Sequence, residues 1–197
     1  NMATNMVNTY VSKMRANKVH NAALLLIDNE EGEVLAYVGN CSQGKEHFND
    51  MLQTPRSSGS VLKPFLYAAM LQSGELLPSQ LLPDIPTFIG DFQPKNFEND
   101  FDGAVPADEA LARSLNIPAV HALKSHSPNR FLKLLRDLQF STFNQPADHY
   151  GLSLILGGGE VTAWELGGAY FQLAQVLNKT KVEAPKEIKA LSFAASD

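Results

Sequence analysis

Ser60-Val61-Leu62-Lys63 places a hydroxyl and an amine three positions apart where a helix is expected to begin, so both side chains fall on one face. At that spacing an amine can take the hydroxyl proton. Serine is a weak nucleophile until a base activates it, and lysine serves as that base once burial and neighbouring charge draw its pKa towards neutrality. Ser114-Leu115-Asn116 follows 54 positions later. A hydroxyl there could relay a proton between Lys63 and a leaving group, while the Asn116 amide could both steady the lysine and bond a substrate carbonyl. Taken alone, the same three residues read as a polar helix end.

Other reactive side chains form no comparable pattern. His20, His47, His121, His126 and His149 are scattered, and none stands at ligand spacing from Asp28, Glu30 or Glu31, so no metal site is expected. Cys41 is the only cysteine, which excludes an intramolecular disulfide, and it reads as a free thiol without a catalytic role. Gly157-Gly158-Gly159 precedes a helical pattern but lacks the Gly-Lys-Ser/Thr ending of a phosphate-binding loop; a tight turn is the better reading.

Positioning Ser60 and Ser114 requires helices entered from loops. Residues 2–17 carry Met2, Met6, Val7, Tyr10, Val11 and Met14 at helical spacing, which predicts a helix packed on one side. Asn21 to Asp28 reads as a buried strand, residues 29–32 as a turn, and Glu33 to Gly39 as the antiparallel return. A long polar loop, Asn40 to Ser60, leads into a helix from Val61 to Gln72; Leu77 to Gly103 reads as an irregular connector. Further helices are predicted over 106–114, 118–125, 128–139 and 162–177. The pattern is one hairpin and then helices, so an α/β or α+β fold needs more strands than it displays.

Length and composition bound the rest. The chain has 197 residues with 44% hydrophobic content, enough for one domain with a substantial core. A net charge of −5 without clustered Lys and Arg argues against nucleic-acid binding. No apolar run approaches the roughly 20 residues of a membrane-spanning helix. The opening Asn1-Met2-Ala3-Thr4-Asn5 does not resemble a secretory signal, and the chain is expected to be a segment of something longer.

With their flanks, the two elements cease to be generic. Arg56-Ser57-Ser58-Gly59-Ser60-Val61-Leu62-Lys63-Pro64-Phe65 closely resembles the active-site serine segment of class A penicillin-binding proteins, the bifunctional synthases of bacterial peptidoglycan. The resemblance runs on through Pro94-Lys95-Asn96-Phe97, through residues 101–105 and 110–120, and through Leu156-Gly157-Gly158-Gly159-Glu160-Val161-Thr162, and it reaches back to the hairpin at 21–39. Residues 63–67 and 90–94 look most like the penicillin-binding protein 1C branch.

The resemblance implies a partial penicillin-binding transpeptidase fold of α+β type over residues 21–197, with residues 1–20 a helix leading into it. It implies Ser60 as the acylated nucleophile, Lys63 as its base, and Ser114 and Asn116 as their partners, with no metal or cofactor. Stem peptides ending in D-Ala-D-Ala and β-lactams are the implied partners; the parent protein is expected to be membrane-anchored, to face the periplasm, and to carry a glycosyltransferase domain ahead of this segment. One departure stands out. The family's third element, Lys-Thr/Ser-Gly on a strand facing the serine, is missing; Lys179-Thr180-Lys181 places a long side chain where close approach needs glycine. The element and the remaining strands are therefore expected beyond Asp197, with impaired activity and exposed apolar surface in this segment. A serine β-lactamase and a non-catalytic β-lactam-sensing or interaction module are the alternatives; Ser-Leu-Asn departs from the Ser-Asp-Asn and Ser-x-Val forms of the lactamases.

Overall fold

The computed structural model describes residues 2–41, 49–90, 92–98 and 100–178; His47, Asp91 and Lys179-Thr180-Lys181 lie outside them. In chain order the elements are α1 (Met2–Met14), β1 (Leu24–Ile27), β2 (Val34–Val38), β3 (Arg56–Ser57), α2 (Lys63–Gln72), β4 (Leu81–Asp84), β5 (Gly103–Pro106), α3 (Ala107–Ala112), α4 (Asn116–His126), α5 (Pro128–Asp137), α6 (Ala147–Tyr150), β6 (Glu160–Val161) and α7 (Ala163–Leu177). Short 3-10 turns cover Arg15–Asn17 and Gly151–Leu156. The mixture of helix and strand agrees with the expected class.

The described residues divide into two compact parts, one drawn from those within 2–55 and 162–178 and the other from those within 56–161. In the first, β1 and β2 form an antiparallel hairpin pairing Leu24 with Val38 and Leu26 with Ala36. The strands are half-buried rather than buried, because Leu26 and Leu35 face outward. Helix α1 seats Val7 and Val11 against Val38 and Cys41, while the Met2, Met6 and Tyr10 stripe of the expected apolar pattern is exposed. Helix α7 begins at Thr162, whose hydroxyl accepts from Glu165 N–H in the way an N-cap does. Its Trp164 ring meets Tyr37 edge-on at 5.8 Å, and Gly167 lets it approach Leu25 and Ile27 closely.

The second part is built around α4, whose sequence is apolar on nearly every side. Ile117, Ala119, Val120, Ala122 and Leu123 are all buried, as a helix surrounded by neighbours requires. Helices α2, α3 and α5, strand β4 and the 3-10 turn at 151–156 pack against it. An edge-to-face series from Phe65 through Phe140 and Phe143 to Tyr150 fills the space beside it, with centroids 5.5–6.4 Å apart.

Two strand pairs lie inside stretches that read as irregular. The connector at 77–103 contains β4, which pairs antiparallel with β5 from Leu81–Pro106 to Asp84–Gly103. The loop before Ser60 contains β3, which pairs with β6 across more than 100 residues of sequence. That second pair ties the approach to Ser60 to the glycine turn. Ser58 N–H donates to the Gly159 carbonyl at 3.0 Å, and Ser57 Oγ donates to the Gly157 carbonyl at 2.9 Å.

Gly157 has φ +101°, and a Cβ there would sit 2.6 Å from Ser57 Oγ and 2.8 Å from Gly59 N. The turn is tight because the backbone leading to Ser60 lies against it. Gly157→Ala is expected to lower the unfolding free energy by about 2–3 kcal/mol. Gly74→Ala, at φ +71° just past the end of α2 with open space around it, is expected to cost only about 1 kcal/mol. Chemical denaturation of both variants checks this, and equal losses would rule out the close approach as the cause.

Candidate active site

The second part of the fold brings Lys63, Ser114 and Asn116 together. Lys63 is the first residue of α2, with Pro64 in the helix's first turn, where its missing N–H and fixed φ are tolerated. Ser60 lies in the turn just before the helix, and its carbonyl accepts from Lys63 N–H at 3.1 Å. Ser60 is half-buried, whereas the Lys63 side chain is 1% exposed.

A buried ammonium needs acceptors for all three protons. Lys63 Nζ donates to the Ser114 carbonyl at 2.7 Å, to Asn116 Oδ1 at 2.8 Å and to Ser114 Oγ at 3.2 Å. All three are neutral, so they stabilise the charge without cancelling it. Loss of water dominates and draws the Lys63 pKa from its ordinary value down to about 8. About a tenth of the amine is then neutral at pH 7, with a lone pair able to accept a proton.

The acceptors come from a turn of defined geometry. Ser114 ends no helix in the ordinary sense: it is the left-handed residue, φ +55°, between α3 and α4. Its N–H donates to Leu111 O and Leu115 N–H to Ala110 O, both at 2.9 Å, the paired closing bonds of a Schellman motif. Glycine is the usual occupant of that position. Serine there accepts backbone strain in return for a hydroxyl held against Lys63. Asn116, expected at the end of a helix, instead opens α4, and Leu115 before it makes no side-chain cap.

Sequence reasoning did not single out the residues that hold this turn. Asn96 Oδ1 accepts from Asn116 N–H at 3.0 Å and Ile117 N–H at 3.3 Å, supplying from the connector the cap that Leu115 lacks. Asn116 Nδ2 donates to the Lys95 carbonyl at 2.8 Å. Asn96 Nδ2 donates in turn to Asp84 Oδ1 at 2.7 Å and the Asp100 carbonyl at 2.9 Å, and Asp84 Oδ2 accepts from Asp102 N–H at 3.0 Å. Asp84 and Asn96 are both buried. The signal available was two polar side chains 12 positions apart in a Pro-rich stretch, which carries no periodicity. Of the histidines, His126 pairs with Glu75 at 2.9 Å, His121 meets Thr87 Oγ1 at 3.0 Å, and the His149 ring packs edge-on against Tyr150 at 5.0 Å.

Two measurements test this geometry. Ser114→Gly relieves the left-handed strain and Ser114→Ala does not, so the glycine variant is expected to be the more stable by about 1 kcal/mol; the reverse order would show that Ser114 is unstrained. For Lys63, the unfolded chain titrates near 10.4 and the folded chain near 8. Between those values the unfolded state binds more protons, so Lys63 makes stability rise with pH, by up to about 1.4 kcal/mol per unit. Wild type is therefore expected to gain stability relative to Lys63→Met between pH 7 and pH 10. A pH-independent difference would mean that Lys63 is not held near pKa 8.

Comparison with known proteins gives the arrangement its family. Residues 22–192 match the penicillin binding protein transpeptidase domain. Penicillin-binding protein 1C of Escherichia coli is 37% identical over 156 residues, 78% of this chain and 20% of the relative. Penicillin-binding protein 1A of Pseudomonas aeruginosa is 31% identical over 155 residues, 76% of this chain and 18% of the relative. The chain thus spans about a fifth of the length of these curated relatives. The crystal structure of penicillin-binding protein 1A from Haemophilus influenzae superposes with TM-score 0.67 at 32% identity, over 77% of this chain and 23% of that one. PonA1 of Mycobacterium tuberculosis in complex with penicillin V, 19% identical, shares the fold with TM-score 0.67 over 85% of this chain and 48% of its own. With this family match and these relatives, the chain belongs to the transpeptidase domain family of the class A penicillin-binding proteins.

Proposed function

We propose that this chain carries the acylating half of a peptidoglycan D,D-transpeptidase, with Ser60 as nucleophile and Lys63 as general base. The observation that carries the reading is the buried Lys63 amine, held by Ser114 and Asn116 on the first turn of the helix that Ser60 precedes. Neutral Lys63 takes the Ser60 Oγ proton as Oγ attacks the carbonyl between the two D-alanines of a stem peptide. The tetrahedral adduct collapses by breaking the C–N bond, and the leaving D-alanine amine takes a proton passed from Lys63 through the Ser114 hydroxyl. An amine of a neighbouring strand then attacks the ester, its proton returns along the same path, and Ser60 is regenerated. A β-lactam follows the first step and stays on Ser60 as an ester. Asn116, fixed by Lys63 on one side and the Lys95 carbonyl on the other, orients the base.

In the full protein this segment, with residues 1–20 leading into it, belongs to a membrane-anchored synthase facing the periplasm, with a glycosyltransferase domain ahead of it. The size of the relatives supports that reading. Among the described residues no helix is long and apolar enough to cross a membrane. The 197 residues contain no Lys-Thr/Ser-Gly sequence, and one oxyanion donor comes with that element. Acylation without that donor is expected to be slower by about 10²–10³.

Intact-protein mass after exposure to penicillin is expected to show one adduct, lost in Ser60→Ala and formed at least about 10²-fold more slowly in Lys63→Ala. The acylation rate of wild type is expected to rise with pH through about 8 as Lys63 loses its proton. A chain extended through a Lys-Thr-Gly strand is expected to acylate faster than the 197-residue chain, and to release D-alanine from a stem-peptide mimic. An adduct surviving Ser60→Ala would remove the nucleophile assignment, and rapid turnover of the penicillin would mark a lactamase instead.

A further inference from the structure

We propose that the buried Asp84 and Asn96 pair is a positioning device for Lys63, holding the Ser114-Leu115-Asn116 turn closed over the amine from a strand and a connector that, among the described residues, make no hydrogen bond to the amine itself. An amide side chain can present either its oxygen or its NH₂ to a neighbour, and the N–H groups of Asn116 and Ile117 need the oxygen. Asp84 is an acceptor on both oxygens when ionised, so it takes the Asn96 NH₂ and forces Oδ1 towards α4. The Asp100 carbonyl enforces the same choice from another side. Asp84 is itself fixed, because it closes β4 opposite Gly103 and accepts from Asp102 N–H.

The consequence reaches Lys63 in one further step. Asn96 captures the backbone of Asn116 while the adjacent Lys95 carbonyl captures its side-chain NH₂, which leaves Asn116 Oδ1 aimed at Nζ. With Asn96 misoriented, two N–H groups at the start of α4 lose their acceptor in a buried setting and the turn must open to water. Burial is what draws the Lys63 proton affinity down, so hydration outweighs any weakened acceptor and returns the amine towards its ordinary value.

Charged neighbours do not offer a competing explanation. Elements packed against α2 carry Asp108 and Glu109 on α3 and His121, Lys124 and His126 on α4. Tyr67 lies on α2 itself, Glu75 and Arg130 pair beyond its far end, and Lys95, Asp100 and Asp102 lie on the connector. Among the described residues none of these side chains ion-pairs or hydrogen-bonds with Lys63, whose partners are the two residues of the turn.

The role as base rests on the proposed function, but the positioning is read on Lys63 itself. The experiment titrates the Lys63 side chain by NMR in uniformly labelled full-length protein, for wild type, Asn96→Ala, Asp84→Asn, and the exchange Asp84→Asn with Asn96→Asp. Asp84→Asn is isosteric; it leaves one acceptor where the Asn96 NH₂ and Asp102 N–H each had one, and so weakens the hold on the working orientation of Asn96. Both single variants are expected to raise the Lys63 midpoint by about one pH unit, which lowers the neutral fraction at pH 7 about tenfold. The exchange restores a donor at 84 and acceptors at 96 but leaves the Asp100 carbonyl without its donor, and is expected to bring the midpoint back in part. Penicillin acylation should follow with its pH profile displaced by the same amount. Folded single variants with the wild-type midpoint would overturn the proposal, as would an exchange variant no better than either single one. If one single variant does not fold, the other carries the test; loss of fold in both also overturns it, since such a pair would hold the whole unit rather than this turn. Displaced Lys63 titration in a protein that penicillin never acylates would leave the positioning intact and remove the proposed function.

Discussion

One buried ammonium governs the arrangement of the larger part of this chain. Stripping an ammonium of water costs several kcal/mol even after relaxation, and Lys63 has no carboxylate partner to offset that among the described residues. Its charge is tolerated because three neutral oxygens converge on it from a single turn. That requirement fixes where α2 begins, how α3 ends and how α4 starts. The same desolvation that makes the site costly makes the amine able to release and accept protons near neutral pH.

The turn that supplies those oxygens is unfavourable in two respects. Ser114 occupies a left-handed position suited to glycine, and α4 begins at Asn116 without a cap from the residue before it. Each defect is compensated from elsewhere in the fold. The paired bonds to Leu111 and Ala110 close the strained turn, and Asn96 arrives from the connector to satisfy the first N–H groups of α4. Behind them α4 is packed on nearly every side, which resists a shift of its N-terminus.

The approach to Ser60 is held differently, by backbone. Two residues of β3 pair with two of β6, and glycines at 157 and 159 let the chain run against Ser57, Gly59 and Phe143 with no room for a side chain. Rigidity at Ser60 therefore comes from close main-chain contact, whereas rigidity at Lys63 comes from polar side chains.

Local pattern determined much of this protein. Helical spacing and proline positions located α1, α2, α5 and α7 to within a few residues, and an apolar run with its return around a polar turn located the hairpin, because those signals arise between residues close in sequence. Ser60, Lys63, Ser114 and Asn116 stood out as candidates because their flanks carry a recognisable motif, although the chain alone gave no distance between the two pairs. Only the tertiary structure decided that Asn116 begins a helix, that Ser114 is left-handed, that the connector contains β4, and that Asp84 and Asn96 stand behind the site. The strand pairs β4 with β5 and β3 with β6 join residues about 20 and 100 positions apart, and short strands without alternation have no local signature. A hydrogen-bond acceptor for a helix start can come from any part of the chain that folding brings near, so the identity of that acceptor is a property of the packed molecule.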